Sequence, residues 1–247
     1  MLLLLPAIAL QVLSTMAFRL AALPVRVPPP AMCDTENEDA GSTTCKFGTK
    51  EYWDGMYEGD GMAVTEDGLS AAVYSWYCGW RELEPFWREI VPDESARVLV
   101  PGVGNDATVV GLYDGGYECL TAFDYSAAAV TRATELFGAR AIELACADAT
   151  DLPYAERSFD AVLDKGALDA IGIASDDALR AATAELARCI VPGGVVVSVS
   201  RALEESTVLG AFQAAQWNVE HDGGLYLAES GAVSTDLAAS IYVWRRR

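Results

Sequence analysis

Residues 97–113 read RVLVPGVGNDATVVGLY. The short apolar run over 97–101 predicts a buried strand, the glycines after it predict a tight loop, and 108–113 has helical character. A strand that enters a glycine loop and then a helix is typical of open α/β sheets, in which ligands bind beyond the carboxyl ends of the strands. The sequence therefore predicts a ligand site at Gly102 and Gly104, where the backbone can approach the ligand closely.

Three further apolar runs predict strands that each end at an aspartate. They cover 117–123, 141–147 and 158–163, and the acids that follow them are Asp124, Asp148 and Asp164. Acids at this edge of a parallel sheet can accept hydrogen bonds from ribose hydroxyls. Asp124 lies twenty residues after Gly104, which is the spacing expected of a ribose-binding acid.

The rest of the chain continues this alternation. Helices are predicted over 126–137, with Ser126 as N-cap, and over 176–190, where Pro192-Gly193-Gly194 stops the second helix before a strand over 195–199. After a helix around 204–215, the strand-like stretches 217–221 and 240–244 have no helix evident between them and should pair antiparallel at one edge. The predicted fold class is α/β: a Rossmann-like, seven-stranded, mainly parallel sheet with helices on both faces and an antiparallel edge strand.

Charge and cysteine spacing limit the partners. The net charge of -19 repels phosphate backbones, so no nucleic-acid partner is expected, whereas a protein with a basic surface or a cationic small molecule fits. The six cysteines include no C-x-x-C pair, so no metal is expected. The single histidine, His221, and the absence of a G-x-S-x-G motif disfavour hydrolase chemistry.

The N-terminal segment predicts three parts of the chain: a targeting leader over 1–33, an acidic linker over 34–50 and the folded domain over 51–247. An apolar run over 1–13 is too short for a comfortable transmembrane helix, and 18–32 is basic and contains no acid. Residues 14–18 resemble the junction of bipartite plastid leaders. A mitochondrial leader is the alternative, and translation from Met16 would leave a cytoplasmic protein. No stable membrane span is expected in the mature protein.

The glycine loop by itself fits either S-adenosyl-L-methionine or a nicotinamide dinucleotide. Residues 102–107, GVGNDA, also match G-x-G-x-x-A, a dinucleotide-binding fingerprint. Asp148 after the third strand, Asp164-Lys165 after the fourth, and the predicted hairpin favour S-adenosyl-L-methionine over a nicotinamide cofactor.

Four segments together resemble the class I, methyltransferase-like family. They are YWD at 52–54 with Tyr57, VLVPGVGND at 98–106, FDYS at 123–126 and SFDAVLDKGALDA at 158–170. The resemblance covers roughly residues 51–173 and implies an S-adenosyl-L-methionine-dependent methyltransferase. The best-known members of this family methylate lysines of translation elongation factor 1-alpha. The expected reaction is therefore N-methylation of a protein lysine; a small-molecule methyltransferase and a nicotinamide-dependent oxidoreductase are the alternatives.

The resemblance also implies a set of cofactor-binding residues. With Gly104 from the loop pattern, they are Trp53, Tyr57, Tyr74, Gly102, Asp124, Tyr125, Asp148, Ala149 and Lys165. Three positions depart from the family: Val103 and Asp106 stand where G-C-G-N-S has cysteine and serine, and Ala167 stands where K-G-T-L-D-A has threonine. No single catalytic base is predicted, and Asp164 and Asp169 are the candidates for assisting deprotonation of a lysine.

Overall fold

A computed structural model describes residues 46–58, 75–225 and 239–247, without the side chains of 223–225. These residues contain a seven-stranded sheet with the strand order β3-β2-β1-β4-β5-β7-β6. The strands are β1 (Val98–Pro101), β2 (Leu120–Asp124), β3 (Glu143–Cys146), β4 (Phe159–Lys165), β5 (Ile190–Ser200), β6 (Trp217–Leu225) and β7 (Ser240–Arg246).

One strand of the sheet runs in the opposite direction to the others. The pairs among β1 to β5 are parallel, whereas β7 pairs antiparallel with both β5 and β6. The last two strands therefore pair as the sequence predicts. The reversed strand β7 lies one position in from the edge, and β6 is outermost. The predicted fold class is confirmed.

Helices cover both faces of the sheet. They are α1 (Lys50–Glu58), α2 (Trp80–Ile90), α3 (Thr108–Asp114), α4 (Ala127–Phe137), α5 (Ala167–Ala174), α6 (Asp176–Cys189) and α7 (Glu205–Ala211). Alternate residues of β1 face opposite sides, as a strand requires. Val98 and Val100 belong to the core under α2, α3 and α4, whereas Leu99 belongs to the core under α5, α6 and α7. Because β1 is buried on both faces, its sequence is an unbroken apolar run.

Local signals account for the helix that follows β2. Ser126 has an extended backbone, and its hydroxyl accepts a hydrogen bond from the Ala129 amide, which confirms the predicted N-cap. This cap starts α4 directly after Asp124. The N-terminus of the helix is thereby fixed beside the carboxyl end of β2.

Two of the predicted boundaries that differ from the structure lie at tertiary contacts. Strand β5 begins at Ile190 rather than at 195, and a register shift against β4 accommodates Pro192-Gly193-Gly194 within it. Helix α7 ends at Ala211 rather than at 215, and the Thr183 hydroxyl of α6 donates to the Ala211 carbonyl. Neither contact has a local sequence signal.

The folded part begins before residue 51. Lys46–Gly48 form a short 3-10 helix, although the sequence assigns them to the acidic linker. A Cβ atom on Gly48 would lie 2.8 Å from the backbone of Ala174 in α5, so this segment lies directly against the domain. The predicted leader and Tyr74 lie outside the described residues. Within the described ranges, no helix has the length and apolar character needed to cross a membrane.

Candidate functional site

A cavity of about 310 Å³ opens at the carboxyl ends of β1, β2 and β4. Its floor is formed by the glycine loop and the ends of these strands, one side by α5, and the roof by aromatic residues from the N-terminal segment. The residues that line it include Phe47, Trp53, Tyr57, Trp76, Tyr77, Gly102, Asp124, Tyr125, Asp148, Ala149, Lys165 and Asp169. The position is the one that open α/β sheets use for ligands.

The two glycines of the loop are required by close contacts as well as by backbone conformation. Gly102 and Gly104 have φ angles of +56° and +51°, a region that other residues rarely adopt. A Cβ atom on Gly102 would lie 2.5 Å from the Ala167 Cβ, and one on Gly104 would lie 2.2 Å from the Tyr57 hydroxyl oxygen. The loop therefore meets α5 on one side and the aromatic roof on the other.

Asp124 ties the end of β2 to the glycine loop. Its carboxylate accepts hydrogen bonds from the Gly104 amide at 3.0 Å and from the Ser126 amide at 2.9 Å. Burial raises the pKa of Asp124 to about 6, although these backbone hydrogen bonds oppose the shift. A carboxylate has about four acceptor sites, so Asp124 can accept further hydrogen bonds from a ligand in the cavity.

The opposite wall of the cavity follows β3. Asp148 is exposed, and its Oδ1 accepts hydrogen bonds from the Thr150 amide and hydroxyl, both at 2.8 Å. Ala149 lines the cavity beside Asp148. The wall along β3 therefore offers one carboxylate and a small side chain, which leave room for a flat group.

Tyr125 connects the end of β2 to the N-terminal segment. Its hydroxyl donates a hydrogen bond to the carbonyl oxygen of Thr49, which lies 3.4 Å away and directly precedes α1. Tyr125 also lines the cavity. The residue after Asp124 therefore helps to hold the roof above the strands.

Lys165 takes part in a buried ion pair behind the glycine loop. Its ammonium donates to the Asp106 carboxylate at 2.7 Å and to the Thr108 hydroxyl at 2.6 Å. The Ser75 hydroxyl donates to the other oxygen of Asp106 at 2.7 Å. Asp106, a departure from the family pattern, therefore joins the loop, β4 and the segment before α2. A lysine ammonium has three hydrogens, and its contacts with the described residues use two of them.

Aromatic side chains from the N-terminal segment form the roof. The Trp53 indole N–H donates to the Phe47 carbonyl at 2.7 Å. The Trp53 ring lies 6.2 Å from Tyr57, nearly parallel to it, and 5.8 Å from Trp76 at a steep angle. The aromatic density of this part of the sequence predicts a lid or flank, and the structure places these rings over the cavity.

The two acids considered for proton transfer lie in different surroundings. Asp164 is fully buried, accepts hydrogen bonds from the Ser198 hydroxyl and the Leu168 amide, and does not line the cavity. Burial raises its pKa to about 7. Asp169 does line the cavity. The structure therefore leaves Asp169 as the acid of this pair that lies at the site.

Most of the residues predicted from the sequence surround this one cavity. Trp53, Tyr57, Gly102, Asp124, Tyr125, Asp148, Ala149 and Lys165 line it. Gly104 is in contact with Tyr57 and Asp124, which both line the cavity. Tyr74 lies outside the described residues. Their roles in binding stay predictions. Sequence reasoning missed Phe47, Trp76 and Tyr77, for which the aromatic density was the available signal.

The order and direction of the strands distinguish between the two cofactors that the glycine loop fits. The dinucleotide-binding fold has six parallel strands in the order 3-2-1-4-5-6, whereas here a reversed seventh strand lies between β5 and β6. Residues 99–198 match the family model described as a methyltransferase domain. This part of the chain is thus similar to a methyltransferase domain. The match spans the glycine loop, Asp124, Asp148 and Lys165.

Two relatives have names that specify their substrate. The chain is 30% identical over 183 residues to the eEF1A lysine and N-terminal methyltransferase of Mus musculus, in an alignment that covers 70% of this chain and 25% of the relative. It is also 30% identical over 151 residues to EEF1A lysine methyltransferase 2 of Danio rerio, covering 60% of this chain and 64% of the relative. The chain thus spans less than two thirds of the length of either relative.

Solved structures share the fold. N-methyltransferase NodS from Bradyrhizobium japonicum, in complex with S-adenosyl-L-homocysteine, superposes with a TM-score of 0.52 at 18% identity, over 67% of this chain and 85% of that one. An S-adenosylmethionine-dependent methyltransferase from Methanosarcina mazei gives a TM-score of 0.55 at 12% identity, over 65% and 96% of the two chains. At such identities the likeness concerns the fold alone.

The contact between Gly104 and Tyr57 is testable with a matched pair of variants. Gly138 also has a positive φ, +59°, but a Cβ atom there would meet nothing within 4 Å. Gly138→Ala should therefore lose about 1–3 kcal/mol of unfolding free energy from backbone conformation alone. Gly104→Ala should lose about 1–3 kcal/mol more than that, because its Cβ overlaps Tyr57. Urea denaturation measures both, and equal losses would contradict the packing described here.

Proposed function

We propose that this protein is an S-adenosyl-L-methionine-dependent methyltransferase that transfers the methyl group to a lysine of a protein substrate. The observation that carries the proposal is the placement of the buried Asp124 carboxylate in the cavity wall, against the glycine loop of a methyltransferase domain. The names of the similar proteins support the lysine as acceptor.

The residues around the cavity fit the parts of S-adenosyl-L-methionine. Asp124 offers acceptor sites to the two ribose hydroxyls. Asp148 and Ala149 would hold the adenine side. At the other end, Gly102 allows the backbone to approach the methionine part, and the remaining N–H of Lys165 could pair with its carboxylate.

When bound, the cofactor supplies a methyl group carried on a sulfonium sulfur. The nucleophile attacks the methyl carbon in line with the carbon–sulfur bond. The protein's part is therefore to align the acceptor and to exclude water from the site. The aromatic roof of Phe47, Trp53 and Trp76 serves the second task by covering the cavity. Aromatic faces also attract cations, which suits a sulfonium.

Charge favours a basic protein substrate. The net charge of the chain is -19, and such a field attracts a basic surface and speeds the encounter. The exposed Asp148 places one of these charges at the cavity itself. A lysine from a basic surface is thus the acceptor that the electrostatics favour.

We also propose that residues 1–33 direct the protein to an organelle, with the plastid as the first candidate. The support is the order of an apolar run, a short junction and a basic stretch without acids in the sequence.

Binding and label transfer test the proposed activity. In isothermal titration, the full chain should bind S-adenosyl-L-methionine and S-adenosyl-L-homocysteine and should not bind NADPH. Radiolabelled cofactor should then label recombinant eukaryotic elongation factor 1A. Asp124→Ala should abolish binding because the ribose acceptor is lost, whereas Asp114→Ala, which removes an exposed acid paired with Arg140, should bind normally.

Three outcomes would count against the proposal. Tight binding of NADPH without binding of S-adenosyl-L-methionine would reject the methyltransferase function. Label confined to small metabolites of a size-fractionated lysate would reject the protein substrate. Equal loss of binding in Asp114→Ala and Asp124→Ala would remove the role given to Asp124.

The raised pKa of Asp124 predicts that cofactor affinity depends on pH. Only the ionised carboxylate accepts both ribose hydroxyls, so a proton competes with the ligand. Since burial raises the pKa of Asp124 to about 6, affinity should be full above pH 7 and should fall below pH 6, by at most about tenfold per pH unit. Isothermal titrations at pH 5 to 8 measure this dependence.

The control for this pH dependence is Asp124→Asn, which should bind the cofactor weakly and without the step near pH 6. Asp164, whose pKa burial raises to about 7, is present in both proteins. A step that survives in Asp124→Asn would therefore assign the pH dependence to another group and contradict the prediction.

A fluorescent-protein fusion tests the proposed leader. Residues 1–33 placed before a fluorescent protein should direct it to plastids of a plastid-bearing cell. Import into mitochondria would support the alternative leader, and a diffuse cytosolic signal would reject targeting.

A further inference from the structure

Tyr77 has a backbone conformation that bulky residues rarely adopt. Its φ angle is +66°, in the left-handed region. Such a conformation persists only where the surrounding structure holds it. Two residues earlier, the Ser75 hydroxyl donates to Asp106, which in turn is paired with Lys165. The buried ion pair thus anchors the segment that carries Tyr77.

The side chain of Tyr77 lies at the cavity. Its hydroxyl donates to Oδ2 of Asp169 at 2.6 Å. Its ring packs on Gly166, where a Cβ atom would come within 3.0 Å of the ring. The residue is only 5% exposed, yet it lines the cavity together with Gly166 and Ala167.

Asp169 is occupied by donors from within the protein. Oδ1 accepts from the Ser200 hydroxyl at 2.5 Å. Oδ2 accepts from the Arg201 and Ala202 amides at 2.9 and 3.0 Å as well as from Tyr77. Both carboxylate oxygens are thus engaged, Oδ2 by three donors and Oδ1 by one. Asp169 therefore holds Tyr77 and does not serve as a free proton acceptor.

The Tyr77 hydroxyl keeps its proton and can still accept a hydrogen bond. Burial raises the pKa of Tyr77 far above its usual value, and the charge of Asp169 raises it further. The proton is directed to Asp169. A phenol oxygen can accept while it donates, so its lone pairs are available to a group in the cavity.

The place of the transferred methyl follows from the proposed cofactor position, on which this inference rests. If Asp124 holds the ribose and Asp148 the adenine side, the sulfur, attached at the other end of the ribose, lies toward Gly102 and Ala167. These two residues are in direct contact, and Gly166, next in the chain to Ala167, carries the Tyr77 ring. Tyr77 is thus at the end of the cavity where the acceptor must enter.

We propose that the Tyr77 hydroxyl accepts a hydrogen bond from the nitrogen of the methyl acceptor and so aims its lone pair at the methyl carbon, with Asp169 as the positioning residue for Tyr77. In this step the nitrogen forms the new N–C bond while the C–S bond breaks and its electron pair stays on sulfur. The methylated nitrogen carries the positive charge and later releases a proton to water. Tyr77 orients the acceptor and takes no proton.

Two cofactor analogues test this arrangement without a known acceptor. Sinefungin has a carbon bearing an amine where S-adenosyl-L-methionine has its sulfonium bearing a methyl group, so this amine points toward the place of the acceptor. S-adenosyl-L-homocysteine has a sulfur there that bears neither group. Tyr77→Phe should weaken sinefungin binding about tenfold, as expected for the loss of a hydrogen bond to a charged group. Its affinity for S-adenosyl-L-homocysteine should stay within about twofold of the wild type. Isothermal titration measures both.

Controls separate a role at the site from loss of structure. Tyr117→Phe also removes a buried hydroxyl, which donates to the Val91 carbonyl away from the cavity, and should leave both affinities unchanged. Asp169→Asn should weaken sinefungin selectively, as Tyr77→Phe does.

The outcomes distinguish this inference from the proposed function. Equal weakening of both analogues in Tyr77→Phe, or no change in either, would overturn the role of Tyr77 without contradicting the proposed cofactor. A wild-type protein that bound neither analogue would refute the proposed cofactor, and this inference with it.

Discussion

The hydrogen bond from the Gly104 amide to Asp124 joins the two strands on which the rest of the site depends. It fixes the loop after β1 against the end of β2, and the Ser126 amide holds the same carboxylate from the start of α4. A buried carboxylate without such donors would be costly. The bond therefore both stabilises the loop and leaves a partly satisfied acceptor facing the cavity, where a ligand can complete it.

The roof of the cavity depends on contacts between segments far apart in the chain. Tyr57 meets Gly104, and Gly48 meets Ala174 of α5. Arg132 of α4 donates to the Tyr57 carbonyl at 3.1 Å. The N-terminal segment is thus attached to both sides of the opening, so the cavity is covered by residues that lie outside the sheet.

The ion pair of Asp106 and Lys165 shows how the structure accommodates an aspartate at a position where the family pattern has serine. An acid introduced next to the glycine loop would be unfavourable alone, since a buried unpaired charge is costly. Here Lys165, Thr108 and Ser75 all contact it or its partner. The result is a link between the glycine loop and the segment of Tyr77.

The order of strands and helices was predictable from the sequence, because apolar periodicity, glycines and the N-cap serine of α4 are local signals. Asp124 and the glycine loop were found for the same reason: they follow strands at a known spacing. The hydrogen bond of Tyr77 with Asp169, the ends of β5 and α7, and the pairing of Asp106 with Lys165 came only from the tertiary structure. Each depends on a contact between residues distant in the chain, and no local pattern encodes which distant groups meet.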